Sequence, residues 1–331
     1  MAISRRGGFC IAGLVSGLLA GMTLAGPAAG QNYPERSVTF LVPYAPGGGT
    51  DIYSRMLADE LRDKLKQTFV IENKAGAATQ IAASALLNAP ADGYTLMMGS
   101  STTLAMNPGL YNKLTYSTDD FAPVALVGSA YFVLLANPSV PAKTLPELIA
   151  YIKSKPPGSL SYGSSGAGTP HHLFMEMFLS MIGAKMTHVP YKGSVPALTD
   201  VVAGNIPMMI VDLTPAQQLI EEGKVRAFGV TSPVRAKPAP NIPTIAEAGL
   251  PGYAGEGWFG VIAKKGTPAP IVNLLNKTIS DYIRRPEIAE KVYATGIQPK
   301  TGSVEDFAKF IPAEQRKWAK VIADAKIPKM N

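Results

Sequence analysis

The stretch Ser37-Val-Thr-Phe-Leu-Val-Pro-Tyr-Ala-Pro-Gly-Gly-Gly-Thr-Asp51 changes character twice within fifteen residues. Val38 to Val42 is β-branched and apolar, apart from Thr39, which suits a buried strand. Pro43 and Pro46 stop that pattern, and three glycines open a loop. From Ile52 to Leu61 the apolar residues return at helical spacing, with Thr50 or Asp51 as the expected N-cap. A strand that passes through a glycine loop into a helix is the repeating unit of a parallel sheet with crossover helices.

The same alternation continues downstream. Phe69–Asn73 and Tyr94–Met98 read as strands, with a helix over Gln80–Leu87 between them. The pattern restarts near residue 130. Strands are expected at Tyr131–Ala136, Leu160–Tyr162, Met186–Val189, Met208–Val211, Ala227–Val230 and Gly260–Ala263. Helices are expected at Thr144–Lys153, Pro170–Ile182, Ile271–Arg284 and Val304–Ala325. The sequence carries neither an internal repeat of fixed period nor a low-complexity tract.

Three small, polar, glycine-rich loops each follow an apolar strand: Pro46–Asp51, Gly99–Thr103 and Gly163–Thr169. In an open parallel sheet, ligands sit outside the carboxyl ends of the strands. A helix N-terminus offers free N–H groups and partial positive charge to an anion, and glycine lets the backbone come close. One such loop is an ordinary turn; three at matching positions are the pattern of a cradle for a carboxylate. Asp212 ends an apolar strand and reads equally as the N-cap of the next helix or as a ligand acceptor. His171 and His172, adjacent at a helix start, point to different faces. One packed and one solvated is the plain reading, and His172 is placed to line the cleft beside the third loop.

Charge and composition exclude several classes. The formal net charge is +7, and Arg5 and Arg6 carry two of those charges, leaving +5. Lys and Arg are scattered rather than gathered into the basic stripe that nucleic acid requires. This mild positive charge suits anionic small ligands and solubility equally. The single cysteine, Cys10, lies in the apolar start, so the rest of the chain has no thiol for a disulfide, metal site or nucleophile. The chain has no H-E-x-x-H, G-x-S-x-G, P-loop or dinucleotide fingerprint. Catalytic residues, metal ligands and cofactors are therefore not expected.

The start of the chain has its own pattern. Arg5-Arg6, an uncharged run from Phe9 to Leu24 and the small residues Gly26-Pro-Ala-Ala-Gly30 are the three parts of a secretory signal. Cleavage after Gly30 and a periplasmic location are expected. A membrane anchor is the competing reading, although spanning takes about 20 mostly apolar residues, and the export route is open between the general and twin-arginine systems. About 300 remaining residues exceed what one core usually organises, so two domains are expected.

The ordered motifs also resemble a known family. Tyr33-Pro-Glu-Arg36, Val42-Pro-Tyr-Ala-Pro-Gly-Gly-Gly-Thr-Asp51, Asp92-Gly-Tyr-Thr-Leu96, Asn107-Pro-Gly-Leu-Tyr111, Tyr162-Gly-Ser-Ser-Gly-Ala-Gly-Thr-Pro-His-His172, His188-Val-Pro-Tyr-Lys-Gly193 and Pro243–Gly252 are similar to the Bug-type extracytoplasmic receptors of tripartite tricarboxylate transporters. The resemblance runs from Tyr33 to Ile327. It implies a type II periplasmic-binding-protein fold, with two α/β lobes of mixed sheet joined by two crossover strands and the ligand between them. Residues 31–128 and 257–331 would form the first lobe and residues 129–256 the second, with crossings near 129–136 and 253–260.

The implied function is capture of a small organic carboxylate by a monomer that delivers it to membrane transporter subunits. A sensory protein presenting the acid to a membrane kinase, or an enzyme on the same fold, are the alternatives. The implied site takes Tyr44, Pro46, Gly47, Gly48, Gly49, Thr50 and Asp51 from the first loop and Ser100 and Ser101 from the second. Ser164, Ser165, Gly168 and Thr169 come from the third, with His172 and Asp212 beside them. Two departures stand out. The stretch Ala75-Gly-Ala-Ala-Thr-Gln80 is poorer in glycine than the family's, and Ile210-Val211 makes the wall before Asp212 less polar, which speaks against an acidic amino acid as ligand.

Overall fold

A computed structural model describes residues 32–331. The expected leader and its cleavage after Gly30 lie outside the described residues. The opening stretch forms strand β1 (Val38–Val42) and helix α1 (Gly49–Leu65). β1 is nearly fully buried because parallel neighbours flank it on both sides, β2 (Phe69–Asn73) and β3 (Thr95–Ser100). Helix α1 buries Tyr53, Leu57 and Leu61 against that sheet and ends at Lys66 in the left-handed conformation, where the Lys66 N–H bonds the Arg62 carbonyl at 2.9 Å. Helix α2 (Gln80–Asn88) carries the chain from β2 to β3, and α3 (Asn107–Leu110) follows β3.

Strand β4 (Phe121–Ala130) was not legible in the sequence. Pro123 and Gly128 interrupt its pattern, and its pairing with β10 (Gly257–Lys264) contains two register shifts, the local irregularity that such residues mark in strands. β10 lies antiparallel between β3 and β4, and the short β11 (Ile297–Pro299) pairs antiparallel with β4. The first sheet thus has the order β11-β4-β10-β3-β1-β2.

A single residue, Tyr131, separates β4 from β5 (Phe132–Ala136), which belongs to the other sheet. That second sheet has the order β7-β6-β8-β5-β9, with β6 (Ser161–Ser164), β7 (Thr187–Pro190), β8 (Met208–Asp212) and β9 (Arg226–Val230). Helix α4 (Leu145–Lys153) follows β5, α5 (Pro170–Ile182) follows β6, α6 (Ser194–Ala203) follows β7 and α7 (Leu213–Glu221) follows β8. The chain returns to the first sheet at β10, where Gly257 sits opposite Ala130. Helices α8 (Ala269–Ile283), α9 (Pro286–Ala294) and α10 (Val304–Asp324) complete the first lobe. Two α/β lobes of mixed sheet with two adjoining crossings make the expected architecture.

The lobes are more than tethered. One apolar cluster runs from Leu41 and Met97 of the first sheet to Leu134 and Ile210 of the second. Helices α5 and α10 close it, with Phe174 stacked on Trp318 at 5.3 Å between ring centres. At its centre the indole N–H groups of Trp258 and Trp318 both donate to the buried Glu314 carboxylate, at 3.0 and 3.1 Å, and Lys317 balances its charge. This seam is shared by the two lobes.

Candidate functional site

A cavity of about 620 Å³ opens between the lobes, at the carboxyl ends of the central strands. The first turns of four helices line it, through Gly48–Thr50 of α1, Thr169 and Pro170 of α5, Ser194 of α6, and Asp212, Thr214 and Pro215 of α7. The N–H groups of a first turn lack intrahelical acceptors and carry the positive end of the helix dipole. Among the described residues, neither lysine nor arginine lines the cleft. The donors in this lining are backbone N–H groups, hydroxyls and the imidazole of His171.

The first loop is braced from beneath by Asp51. Helix α1 begins at Gly49, with Gly48 at the N-cap position, so the cap falls two or three residues earlier than Thr50 or Asp51. Asp51 sits inside the first turn and is almost fully buried. Its carboxylate accepts from Gly47 N–H at 2.9 Å, from Arg55 Nε at 3.0 Å and Nη2 at 3.1 Å, and from Asn73 Nδ2 at 2.8 Å. Burial alone would raise its pKa, but the Arg55 contact and these hydrogen bonds outweigh it and hold the carboxyl below its ordinary range. Both oxygens are thus engaged within the protein.

A Cβ on Gly48 would meet nothing nearer than the Ala45 carbonyl at 4.0 Å, so a side chain there enters open space beside the cleft. A Cβ on Gly49 would lie 2.4 Å from the Thr295 carbonyl. Of the two glycines, Gly48 is therefore the clean probe of ligand approach, and Gly49 is required by packing. Tyr44, Thr50 and Asp51 also line the cleft, whereas Pro46 and Gly47 face solvent outside it.

The third loop rests on neutral groups. Gly166 and Gly168 take φ of 135° and 75°, which a side chain rarely adopts. Thr169 occupies the N-cap position of α5 with Pro170 after it, but its hydroxyl donates to Gly166 O at 2.7 Å instead of capping the helix. It closes the loop on itself. Both histidines of the pair are buried, not one packed and one solvated. His172 turns inward: its Nδ1 accepts from Gly168 N–H at 3.1 Å, and its ring stacks on His188 at 3.9 Å. His188 Nε2 meets Ser164 Oγ at 2.6 Å. Burial, and for His172 the neighbouring His188, push these imidazoles down to about 3 and about 4.

His171, rather than His172, lines the cleft. Its Nδ1 meets Ser165 Oγ at 2.7 Å and its Nε2 meets Asp212 Oδ2 at 2.9 Å. A serine–histidine pairing is thus present that belongs to no sequence motif. Asp212 stands at the N-cap position of α7 but makes no capping bond. Burial works to raise its pKa, and the His171 charge and hydrogen bond overcome this and keep it low.

Ser165, Gly168 and Thr169 line the cleft and Ser164 lies beneath it. Ser101 lines it, whereas Ser100 is buried against Thr103. Sequence reasoning did not name Ser194, Thr214 or the Thr295–Gly296 turn: α6 and α9 were not read as helices, and at the start of α7 only Asp212 was singled out. It also missed Ala78 and Thr79. With Ala77 they form three consecutive left-handed residues, at φ 45°, 48° and 75°. Asn107 Nδ2, donating to the Ala78 carbonyl at 2.8 Å, holds this arch over the cleft.

The comparisons agree with this fold. The family described as tripartite tricarboxylate transporter family receptor matches residues 53–327, and the chain belongs to that family. Protein BugT of Bordetella pertussis is 35% identical over 303 residues, covering 91% of this chain and 93% of the relative. Among solved structures, R. palustris Rpa4515 with adipate is 37% identical, with a TM-score of 0.80 over 90% of this chain and 100% of that one. MatC from Rhodopseudomonas palustris with bound malate is 32% identical, with a TM-score of 0.74 over 88% of this chain and 100% of that one. Members of the family are solute-binding receptors, and the two R. palustris proteins hold dicarboxylates.

Proposed function

We propose that this protein is a periplasmic receptor that captures a small organic carboxylate between its lobes and delivers it to the membrane subunits of a tripartite tricarboxylate-type transporter. The observation that carries the reading is the convergence of four helix N-termini on one cleft whose described lining has no cationic side chain. Such a site favours an anion small enough to reach backbone N–H groups. Adipate and malate in related structures support the carboxylate. The mature protein is exported after cleavage behind Gly30, and among the described residues no helix is long and apolar enough to cross a membrane.

Ligand capture closes the lobes about the crossings at Tyr131 and Gly257, in the manner of hinge-closing binding proteins. The expected site residues divide by role. Gly48, Thr50, Ser101 and Thr169 face the ligand, while Asp51, Ser164 and His172 hold the loops that carry them.

A thermal-shift panel of organic acids tests the reading, since a ligand that binds the native state raises the melting temperature. At least one acid is expected to do so, and receptor-dependent uptake of that acid into membrane vesicles completes the test. The Ser165–His171 contact gives one reason to ask about turnover. Recovery of the bound acid chemically unchanged is the outcome expected of a receptor, and a released product would make this an enzyme.

A further inference from the structure

The chain passes between the lobes twice, and each passage narrows to one residue. In the first, Tyr131 alone stands between β4 and β5. In the second, Gly255 is fixed to the second lobe, where its N–H donates to the Thr231 carbonyl at 2.8 Å. Gly257 is already paired with Ala130 in the first sheet. Glu256 is the residue left between them. Its backbone dihedrals are placed to absorb a rotation of the lobes, as element-terminal residues do in hinge closure.

The Glu256 side chain is tied to the first lobe. Lys300, which follows β11, places Nζ 2.7 and 2.8 Å from its two carboxylate oxygens, and the Ser129 hydroxyl of β4 donates to Oε1 at 3.2 Å. Both partners are themselves fixed there. The Lys300 N–H bonds the Val127 carbonyl at 3.0 Å, and Ser129 sits opposite Trp258 on one side and Gln298 on the other. The pair is largely shielded from water, with side-chain exposures of 14% for Glu256 and 24% for Lys300. Exposed ion pairs contribute little, but loss of one partner from a shielded pair leaves the other charge uncompensated. Ser129, Glu256 and Lys300 all stand outside the cleft lining. In this structure the lobes also meet across the cleft, since Gly168 of the third loop packs against Leu110 and Met330 of the first lobe.

We infer that Glu256 is the pivot of the second crossing and that its ion pair with Lys300 sets the hinge, holding the lobes in this closed arrangement without touching the ligand. The inference rests on the crossings acting as the hinge and not on the ligand being a carboxylate. A receptor whose closed form is less populated binds its ligand more weakly by the same fraction, so the pair tunes affinity for any ligand alike.

Spin-label distances across the cleft mouth of the ligand-free mature protein test it. The only cysteine is Cys10, so Ile52→Cys and Val195→Cys, both exposed and adjacent to the cleft-lining Asp51 and Ser194, take one label each. In this labelled parent the distance is expected to match the closed arrangement. Glu256→Gln and Lys300→Gln are each expected to move the closed-to-open ratio at least about fivefold towards longer distances. Exchanging the charges, by Glu256→Lys together with Lys300→Glu, is expected to restore the parent distance, a recovery that a general loss of folding would not give. A parent that is already open without ligand overturns the inference. So do neutral variants that fold and keep the parent distance, and so does an exchange variant that stays as open as the single ones. Each of these results leaves the carboxylate reading standing.

Discussion

The two loops that face each other across the cleft are built on different electrostatics. Beneath the first, an ionised carboxylate, Asp51, gathers Gly47, Arg55 and Asn73. Beneath the third, uncharged imidazoles do the equivalent work, with His172 accepting from Gly168 N–H and His188 paired with Ser164. The first loop leaves Gly47 and Gly48 open, and only Gly49 is packed, against the Thr295 carbonyl. The third is packed from above, since a Cβ on Gly168 would lie 2.7 Å from Met330 Cε and 3.1 Å from Leu110 Cδ1. The comparison teaches that one binding geometry is held in two ways, one sensitive to loss of a charge and the other to its gain.

The contrast is sharpest at the glycines. Gly48→Val, with φ of −77° and open space ahead of it, is expected to leave the fold intact and weaken ligand binding at least about a hundredfold, roughly 3 kcal/mol. Gly168→Val has to overcome a positive φ and the Met330 contact, so it lowers stability itself. Denaturant melts beside calorimetric titration separate the two, and equal loss of stability in both variants would break the distinction.

Removing the brace is the next largest effect. Asp51→Ala removes the acceptor shared by the Gly47 N–H and Arg55 and leaves Asn73 only its bond to the Tyr44 carbonyl, and is expected to cost about 2–3 kcal/mol of stability, as lost hydrogen bonds to a charged group do. Urea unfolding reads this directly.

Acid is expected to loosen the third loop before the first. The folded pKa of His172 is depressed, so the unfolded chain binds its proton more readily. The stability tied to neutral His172 is complete above about pH 6.5 and is lost as pH falls from there towards about 3. Between about pH 6.5 and 5 it amounts to about 2 kcal/mol. Glu176, held above its ordinary range by burial, takes up a proton in the same descent and offsets part of the loss. Asp51, held below its ordinary range, gives up its contribution only as pH drops below about 4. Amide exchange at Gly168 is expected to quicken relative to Gly47 on going from pH 7 to pH 5, after correction for intrinsic rates. Parallel behaviour of the two amides would contradict the comparison.

The smallest effect concerns the left-handed arch. Ala78→Gly relieves a positive φ of 48° and is expected to gain about 1 kcal/mol. A glycine also adds freedom to the unfolded chain, which reduces that gain, so a loss measured by thermal melting would mean the arch is not strained.

The sequence carried the doubly alternating fold because its strands are short apolar runs bounded by glycine and proline, and Val38–Val42 with its glycine loop is legible at sight. Strand β4 was not, since Pro123 and Gly128 break its period and only pairing with β10 defines it. The loops that make the site were legible as loops. Their internal division of labour was not, because it depends on which way side chains turn. His171 and His172 are adjacent and chemically identical, and only packing against His188 and Asp212 assigns one inward and one to the cleft. Thr169 likewise reads as a cap from its place before Pro170, while the positive φ of Gly166 brings a nearer acceptor to its hydroxyl. Ser165 and His171 meet across the loop before α5, a contact that no motif records.

The central claim, that this cleft holds a carboxylate through backbone donors with no cationic side chain in its described lining, is tested most directly by titrating the wild-type protein with a binding acid and with the corresponding primary amide. The acid is expected to bind and to raise the melting temperature, and to keep most of its affinity at high salt because the donors are fixed dipoles at short range and not mobile surface charges. The amide is expected to bind far more weakly. An amide that binds as tightly as its acid would contradict the account.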